Sequence, residues 1–311
     1  MITTTPRIKR FLLTAIFAAL SLCGAEGFLR LLGIHDPILY ELDSATGYRI
    51  KPNQTSTIWG RTIVINHWGV RDPRPLKAKP DGIRRILVLG DSVTWGGPAI
   101  VQDELFTTLA EKRMPGFEIV NAGVNGYSIA RMAAHYEHLR GLNVDNVVIV
   151  AIPRDFTRPP FVALSERTPA FPLEKPDFAI SYLARIARIR LYRRLEWGIL
   201  KPPEDSVATE ALSEEECFRK NLDALVEFKT SLGDIPLAVI MAPTLSSAPS
   251  MERMNQIRDA IMGLGIPYVS LNEIIAPDPA WFIDGVHLNS MGHAAVAPPL
   301  AEWIQDFLAE R

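Results

Sequence analysis

The chain has 311 residues, 48% of them hydrophobic and 22% charged, which is typical of a globular protein with a substantial core in one or two domains. The 33 lysines and arginines are balanced by 35 aspartates and glutamates, so the net charge of -2 offers no electrostatic footprint for nucleic acid. The two cysteines, Cys23 and Cys217, are too few to form a metal cluster, and the apolar surroundings of Cys23 argue against a disulfide.

The N-terminal segment has the layout of a signal peptide or a signal-anchor. Three basic residues precede an apolar run over 11–25, and the apolar pattern resumes after Glu26 as far as Leu32. A membrane span needs about 20 residues, which this segment provides if one helix continues through Leu32. We favour an uncleaved membrane helix within residues 1–33. The alternatives are cleavage after Ala25, giving a secreted protein, and an ordinary buried helix.

The charge distribution around this segment predicts its orientation. Basic residues stand before the apolar run, and the positive-inside rule keeps such a flank in the cytoplasm. We therefore expect a protein of the cell membrane with a single N-terminal span. The body of the chain would lie on the outer side, in the periplasm or outside the cell.

Residues 34–82 are rich in proline, asparagine, threonine and glycine. This composition predicts an irregular extension packed on the main domain, with one strand over Thr62–Ile65. A second irregular stretch, 154–210, interrupts the later part of the chain. It contains the basic segment Arg185–Arg194, for which a solvated helix face is favoured over contact with anionic lipid or an acidic polymer.

Between residue 83 and the C-terminus, strand and helix patterns alternate. Short apolar runs predict five strands, over Arg85–Leu89, Glu118–Val120, Asn146–Ile152, Pro236–Met241 and Tyr268–Leu271. Helical patterns are predicted over Asp103–Arg113, Ile129–Leu142, Ser213–Ser231, Met251–Met262 and Ser290–Leu308. This alternation predicts an α/β domain over 83–311, with a doubly wound, flavodoxin-like sheet of five parallel strands and helices on both faces.

Two places along this domain carry candidate catalytic groups. Ser92 follows the first strand, at the carboxyl edge of the sheet where ligands bind in open α/β folds. Asp284 and His287 stand three residues apart before the last helix, so the carboxylate can accept from Nδ1–H and leave Nε2 as a base. A plain tight turn would explain Ser92 alone, and a capping Asp before an exposed His would explain the pair alone. The ends of the first and last strands can lie within side-chain reach, which favours a nucleophile, base and orienting acid.

Acyl chemistry also needs hydrogen-bond donors for the developing oxyanion. The backbone N–H of Ser92 is one candidate. Gly126, after the second strand, is another, because glycine lets the backbone approach a ligand closely. An ordinary loop glycine is the alternative interpretation of Gly126.

Three motifs resemble signature blocks of a known family. "RILVLGDSVTWG", "NAGVNGYS" and "DGVHLN" are similar, in order, to three of the four blocks of the SGNH (GDSL-type) hydrolases, and the resemblance covers roughly residue 83 to the C-terminus. It implies that Ser92 is the nucleophile, that Gly126 is an oxyanion donor, and that Asp284 and His287 complete a triad. The leading segment, with "LDSATGYRIKPN" and "INHWGVRD", also resembles that of bacterial SGNH proteins with one N-terminal membrane helix.

The third block departs from the family pattern. Where the family usually has Gly-x-Asn-Asp, this chain has "AIPRDF", so Arg154 replaces the asparagine donor and Asp155 is kept. Arg154 could still donate to an oxyanion, pair with Asp155, or bind a substrate carboxylate. Gly126, Arg154 and Asp155 are therefore the candidates for oxyanion and substrate binding.

Together these features predict a serine esterase or acyl hydrolase that acts on an ester, with an O-acetylated carbohydrate or envelope component as the leading substrate. The alternatives are O-acyl transfer to a polysaccharide by the same triad, and an SGNH-fold binding protein with weak catalysis or none. The glycines of "GDSVTWGG" fit neither nucleotide fingerprint, and no metal-ligand spacing occurs in the sequence. We predict neither a cofactor nor a metal.

Overall fold

The computed structural model describes residues 6–34, 36–58, 60–163, 171–184, 187, 212–245 and 251–309. The irregular stretch 154–210 is thus described only in part. The predicted basic segment Arg185–Arg194 lies outside the described residues except at residue 187.

The chain begins with a long apolar helix, α1 (Pro6–Leu31). An 18-residue window within Arg7–Leu31 has a mean hydropathy of 1.8 and is not buried against the rest of the protein, so the helix is long and apolar enough to cross a membrane. Gly33 terminates the helix two residues after Leu31, because its φ of 74° turns the chain so that the Ile34 N–H bonds the Leu29 carbonyl. A single N-terminal helix running past Glu26 was predicted, and an anchor and a signal sequence both fit it.

The following segment is more regular than its composition predicts. It forms two antiparallel hairpins, from β1 (Tyr40–Asp43) with β2 (Gly47–Ile50) and from β3 (Gln54–Ile58) with β4 (Arg61–Ile65). The predicted strand Thr62–Ile65 is confirmed as part of β4, but the prediction that the rest of the extension is irregular is wrong, because three further strands form. Strands of four and five residues are too short to show a clear period, and the Asp43 carboxylate builds the first turn by accepting from two N–H groups that follow it.

The centre of the protein is a five-stranded parallel sheet. Its strands are β5 (Arg84–Gly90), β6 (Phe117–Gly123), β7 (Asn146–Ala151), β8 (Leu237–Met241) and β9 (Tyr268–Ser270). Their spatial order is β6-β5-β7-β8-β9, which is the predicted doubly wound, flavodoxin-like arrangement. The strand order reverses between β5 and β7, so the loops that leave these two strands diverge at the point where such sheets bind ligands.

The sheet is covered on both faces. Leu87 and Leu89 point into one core cluster, which also contains side chains of both hairpins, whereas Ile86 and Val88 point into a second cluster beside the last helix. This alternation is that of a central strand, and both faces being buried explains its continuous apolar sequence.

Seven further helices are named here among the described residues. They are α2 (Ser92–Trp95), α3 (Phe106–Glu111), α4 (Ile129–Leu139), α5 (Glu214–Leu232), α6 (Met251–Gly263), α7 (Leu271–Ile274) and α8 (Ser290–Ala309). The first turn of α5 carries a reciprocal cap between Ser213 and Glu216.

Candidate active site

The nucleophile candidate sits on a tight turn between β5 and α2. Asp91 caps the helix, because its Oδ1 accepts from the Val93 N–H at 2.8 Å. Glycines let this helix lie directly on the strand ends: a Cβ on Gly90 would lie 2.0 Å from the Thr94 hydroxyl, and one on Gly123 would lie 2.3 Å from the Trp95 nitrogen. The turn therefore holds Ser92, the first residue of α2, at the carboxyl edge of the sheet.

A buried asparagine in β6 supports the same turn. Asn121 Nδ2 donates to the Thr94 carbonyl at 2.7 Å, and its Oδ1 accepts from the Gly123 N–H at 3.0 Å. The Val124 N–H also donates to the Gly90 carbonyl at 3.0 Å. Sequence reasoning missed Asn121, although an amide inside an otherwise apolar strand signals a buried hydrogen-bonded role.

The aspartate and histidine candidates lie on a compact loop between α7 and α8. Its two sides pair, with the Ile283 N–H donating to the His287 carbonyl at 2.8 Å, and Gly285 makes the turn with a φ of 82°. The Leu245 N–H, from the segment after β8, donates to the Gly285 carbonyl at 2.7 Å. The loop is thereby tied to the carboxyl edge of the sheet.

The turn after β5 and the loop before α8 bring three side chains into one continuous series of hydrogen bonds. His287 Nε2 lies 2.8 Å from Ser92 Oγ, and Nδ1 lies 2.7 Å from Asp284 Oδ2. With the proton on Nδ1, the imidazole donates to the carboxylate and accepts from the serine hydroxyl, as a general base must. The side chains of His287 and Asp284 are 40% and 54% exposed, so this end of the candidate site is accessible to solvent.

The carboxylate that orients the histidine is well supplied with donors. Asp284 Oδ1 accepts from the N–H groups of His287 at 2.8 Å and Val286 at 3.1 Å. Burial alone would raise the pKa of Asp284, but hydrogen bonds from the backbone and ring of His287 and from Val286 outweigh it and hold the pKa below its ordinary value. Asp284 is therefore ionised at neutral pH and available to the imidazole.

Two backbone N–H groups are candidates for binding an oxyanion. Ser92 is the first residue of α2, so its N–H has no partner within the helix. Gly126 has a φ of 75°, and a Cβ there would lie 2.9 Å from the Tyr48 hydroxyl. The Asn125 carbonyl, which belongs to the same peptide as the Gly126 N–H, accepts from the Tyr48 hydroxyl at 2.7 Å, and this bond fixes the orientation of that N–H. Sequence reasoning missed this supporting tyrosine.

The block-three candidates, Arg154 and Asp155, separate in the structure. Both lie on a short 3-10 helix, Pro153–Phe156, after β7. Arg154 is exposed and lines a cavity of about 550 Å³, together with Val286 beside the catalytic histidine candidate. Asp155 is fully buried and bonds the Ile152 N–H and Arg158, so its predicted contact with substrate does not fit its position. Its partner is not Arg154.

Among the residues that the structure describes, no group of three or more His, Cys, Asp or Glu side chains could hold a metal ion. The fold and site together define a class of protein: a doubly wound α/β domain with a serine, histidine and aspartate chain at the carboxyl edge of its sheet.

Among known proteins, only solved structures are similar to this chain. No family model matches the chain, and no curated protein matches it. A lipolytic protein of the G-D-S-L family from Veillonella parvula is 14% identical with a TM-score of 0.41, covering 69% of this chain and 94% of its own. The esterase EstA from Pseudoalteromonas is 14% identical with a TM-score of 0.44 (73% and 99%), and AlinE4, an SGNH-hydrolase family esterase, is 15% identical with a TM-score of 0.38 (74% and 99%). At these identities the likeness concerns the fold, and the chemistry rests on the site.

Proposed function

We propose that the protein is an SGNH-type serine hydrolase that cleaves an ester bond. The observation that carries this proposal is the unbroken chain of hydrogen bonds from Ser92 through His287 to Asp284, with lengths of 2.8 and 2.7 Å. The three groups occur in the order that nucleophilic acyl transfer requires, and the Asp284 carboxylate beside Nδ1 favours the tautomer that leaves Nε2 as the base.

The proposed reaction follows from this geometry. His287 Nε2 takes the Ser92 proton while Oγ attacks the ester carbonyl, and the N–H groups of Ser92 and Gly126 stabilise the oxyanion. The protonated imidazole, stabilised by Asp284, then protonates the leaving alcohol, and an acyl-enzyme forms on Ser92. Water, deprotonated by His287, attacks the acyl group, and the carboxylic acid leaves as Ser92 regains its proton.

An O-acetyl group on a carbohydrate or envelope component is the substrate that we propose. An open site suits it, because the exposed histidine and aspartate leave room for a large alcohol portion of the ester. The experiment is incubation of the full-length protein in detergent with a chromogenic acetyl ester and with a fluorophosphonate. Turnover and a single phosphonyl adduct on Ser92 are expected.

Two other outcomes have different meanings. The absence of both turnover and an adduct would contradict the proposal, and it would favour a binding protein that keeps the fold. Acetylation of an added polysaccharide, at the expense of acetate release, would identify an acyltransferase that uses the same triad.

We also propose that α1 anchors the protein in the cell membrane, with the sheet domain on the outer side. The exposed apolar surface of α1 and the basic residues at its start support this arrangement. Fractionation of cells should recover the intact chain with the membranes. A soluble product that begins near Glu26 would show instead that the helix is a cleaved signal.

Arg154 is expected to bind an anionic group of the substrate. It is exposed and lines a cavity together with Val286, which precedes His287 in the chain. Hydrogen bonds to a charged group such as a carboxylate typically contribute about 1.5–3 kcal/mol. For an acetyl ester that carries a carboxylate, Arg154→Gln should therefore lower kcat/KM about 10- to 100-fold, and for a neutral acetyl ester the change should stay within about twofold.

Steady-state kinetics on both esters check this expectation. Arg113→Gln is the matched control, since Arg113 is also an exposed arginine but does not line the cavity. An equal loss of kcat on both esters would contradict the expectation, because it would make Arg154 an oxyanion donor instead.

A further inference from the structure

A buried cluster of charge lies directly behind the nucleophile. Arg158 Nη1 donates to Asp91 Oδ2 at 3.0 Å, to Asp155 Oδ1 at 2.6 Å and to the Tyr127 carbonyl at 2.9 Å. Both aspartates are fully buried, and the Arg158 side chain is 18% exposed. The reaction proposed above uses none of these three ionisable groups.

One oxygen of this cluster competes for the serine proton. Ser92 Oγ lies 2.8 Å from His287 Nε2 but also 3.3 Å from Asp91 Oδ2. A serine hydroxyl has a single proton to donate, so a bond to Asp91 takes it away from the base. A negative carboxylate this close also opposes the charge that develops when Oγ attacks a carbonyl.

Arg158 counters both effects, because it bonds the same Oδ2 of Asp91 that faces Ser92. We propose that Arg158 is a positioning residue: by holding and neutralising Asp91, it directs the Ser92 proton to His287. This role rests on the proposed hydrolase function. Arg158 lies four residues after Arg154 and contacts Asp91, the neighbour of the nucleophile, whereas Arg154 lines the cavity.

The charge balance of the cluster agrees with this role. One guanidinium cannot neutralise two buried carboxylates. Burial, with repulsion from Asp91, raises the pKa of Asp155 well above its ordinary value, which favours its neutral form. Asp91 is then the carboxylate that Arg158 neutralises.

The test measures acetyl-ester kinetics and the second-order rate of fluorophosphonate labelling, on the full-length protein in detergent. Arg158→Gln should lower kcat and the labelling rate about 100-fold with KM changed less than about threefold, as expected for loss of a charge contact that matters in the transition state. Arg158→Lys should recover part of the loss. In the double variant Asp91→Asn/Arg158→Gln, which removes both charges, labelling should be at least about 10-fold faster than in Arg158→Gln.

The rescue separates this role from a purely structural one. A double variant that folds, as near-ultraviolet circular dichroism would show, yet labels as slowly as Arg158→Gln would overturn the proposal, even if Arg158→Gln itself misfolds. Folded Arg158→Gln with the wild-type labelling rate would overturn it too. Wild-type protein that takes up no probe would overturn the hydrolase function and this role together, whereas the other two results concern Arg158 alone.

Discussion

Ser92→Ala is expected to lower kcat for ester hydrolysis by about four to six orders of magnitude, because it removes the atom that accepts the acyl group. Ser92 Oγ is the end of the hydrogen-bonded chain that starts at Asp284, and the remaining groups of a triad retain little activity without their nucleophile. KM and the thermal midpoint should stay close to wild-type values, since the hydroxyl is a small, partly exposed group. Steady-state kinetics and thermal unfolding measure these quantities.

The matched control for this substitution is Ser231→Ala, in the exposed last turn of α5, which should retain wild-type kcat. Both variants need purification free of host esterases, because a contaminant at one part in ten thousand would mask the loss. A Ser92→Ala protein with a tenth or more of the wild-type kcat would contradict the proposed mechanism.

Gly123→Ala is expected to destabilise the fold by about 3 kcal/mol, which is at the upper end for an overpacked core. The added Cβ would lie 2.3 Å from the Trp95 nitrogen and 2.8 Å from the Thr94 carbonyl carbon, and these backbone atoms cannot move without moving α2. Because Ser92 begins that helix, the fluorophosphonate labelling rate should fall together with the denaturant midpoint.

A second glycine gives a sharp comparison. Gly263, at the end of α6, has a φ outside the left-handed region, and a Cβ there would meet no heavy atom within 4 Å. Gly263→Ala should therefore leave both the midpoint and the labelling rate unchanged or slightly raised. Equal midpoints for Gly123→Ala and wild type would show that α2 does not pack as closely on β6 as these distances require.

The parts of the fold that were predictable are those with strong local signals. The strand around Val88 is a continuous apolar run, and both of its faces are buried, so its sequence and its place in the sheet agree. Ser92, Asp284 and His287 were found because turns at strand ends meet at one edge of a parallel sheet. The two hairpins were missed because their strands are short and their turn residues dominate the composition.

The roles of the block-three residues depend on a local geometry that the sequence does not display. On the short 3-10 helix Pro153–Phe156, the neighbouring side chains of Arg154 and Asp155 point in different directions. Asp155 is buried and pairs with Arg158, which lies two residues beyond the helix, whereas Arg154 is exposed. Spacing alone could not tell which arginine turns inward, so the sequence led us to the exposed one.

The joint between α1 and the domain bears on how far the site can reach. Glu26, in the last part of the helix, accepts from the N–H groups of Ala179 and Ile180, and a Cβ on Gly33 would lie 1.7 Å from the Thr57 carbonyl oxygen. The helix therefore meets the domain without a flexible spacer. With α1 in a membrane, these contacts would hold the domain at a fixed, short distance from the lipid surface. The site would then act only on esters that are carried close to that surface.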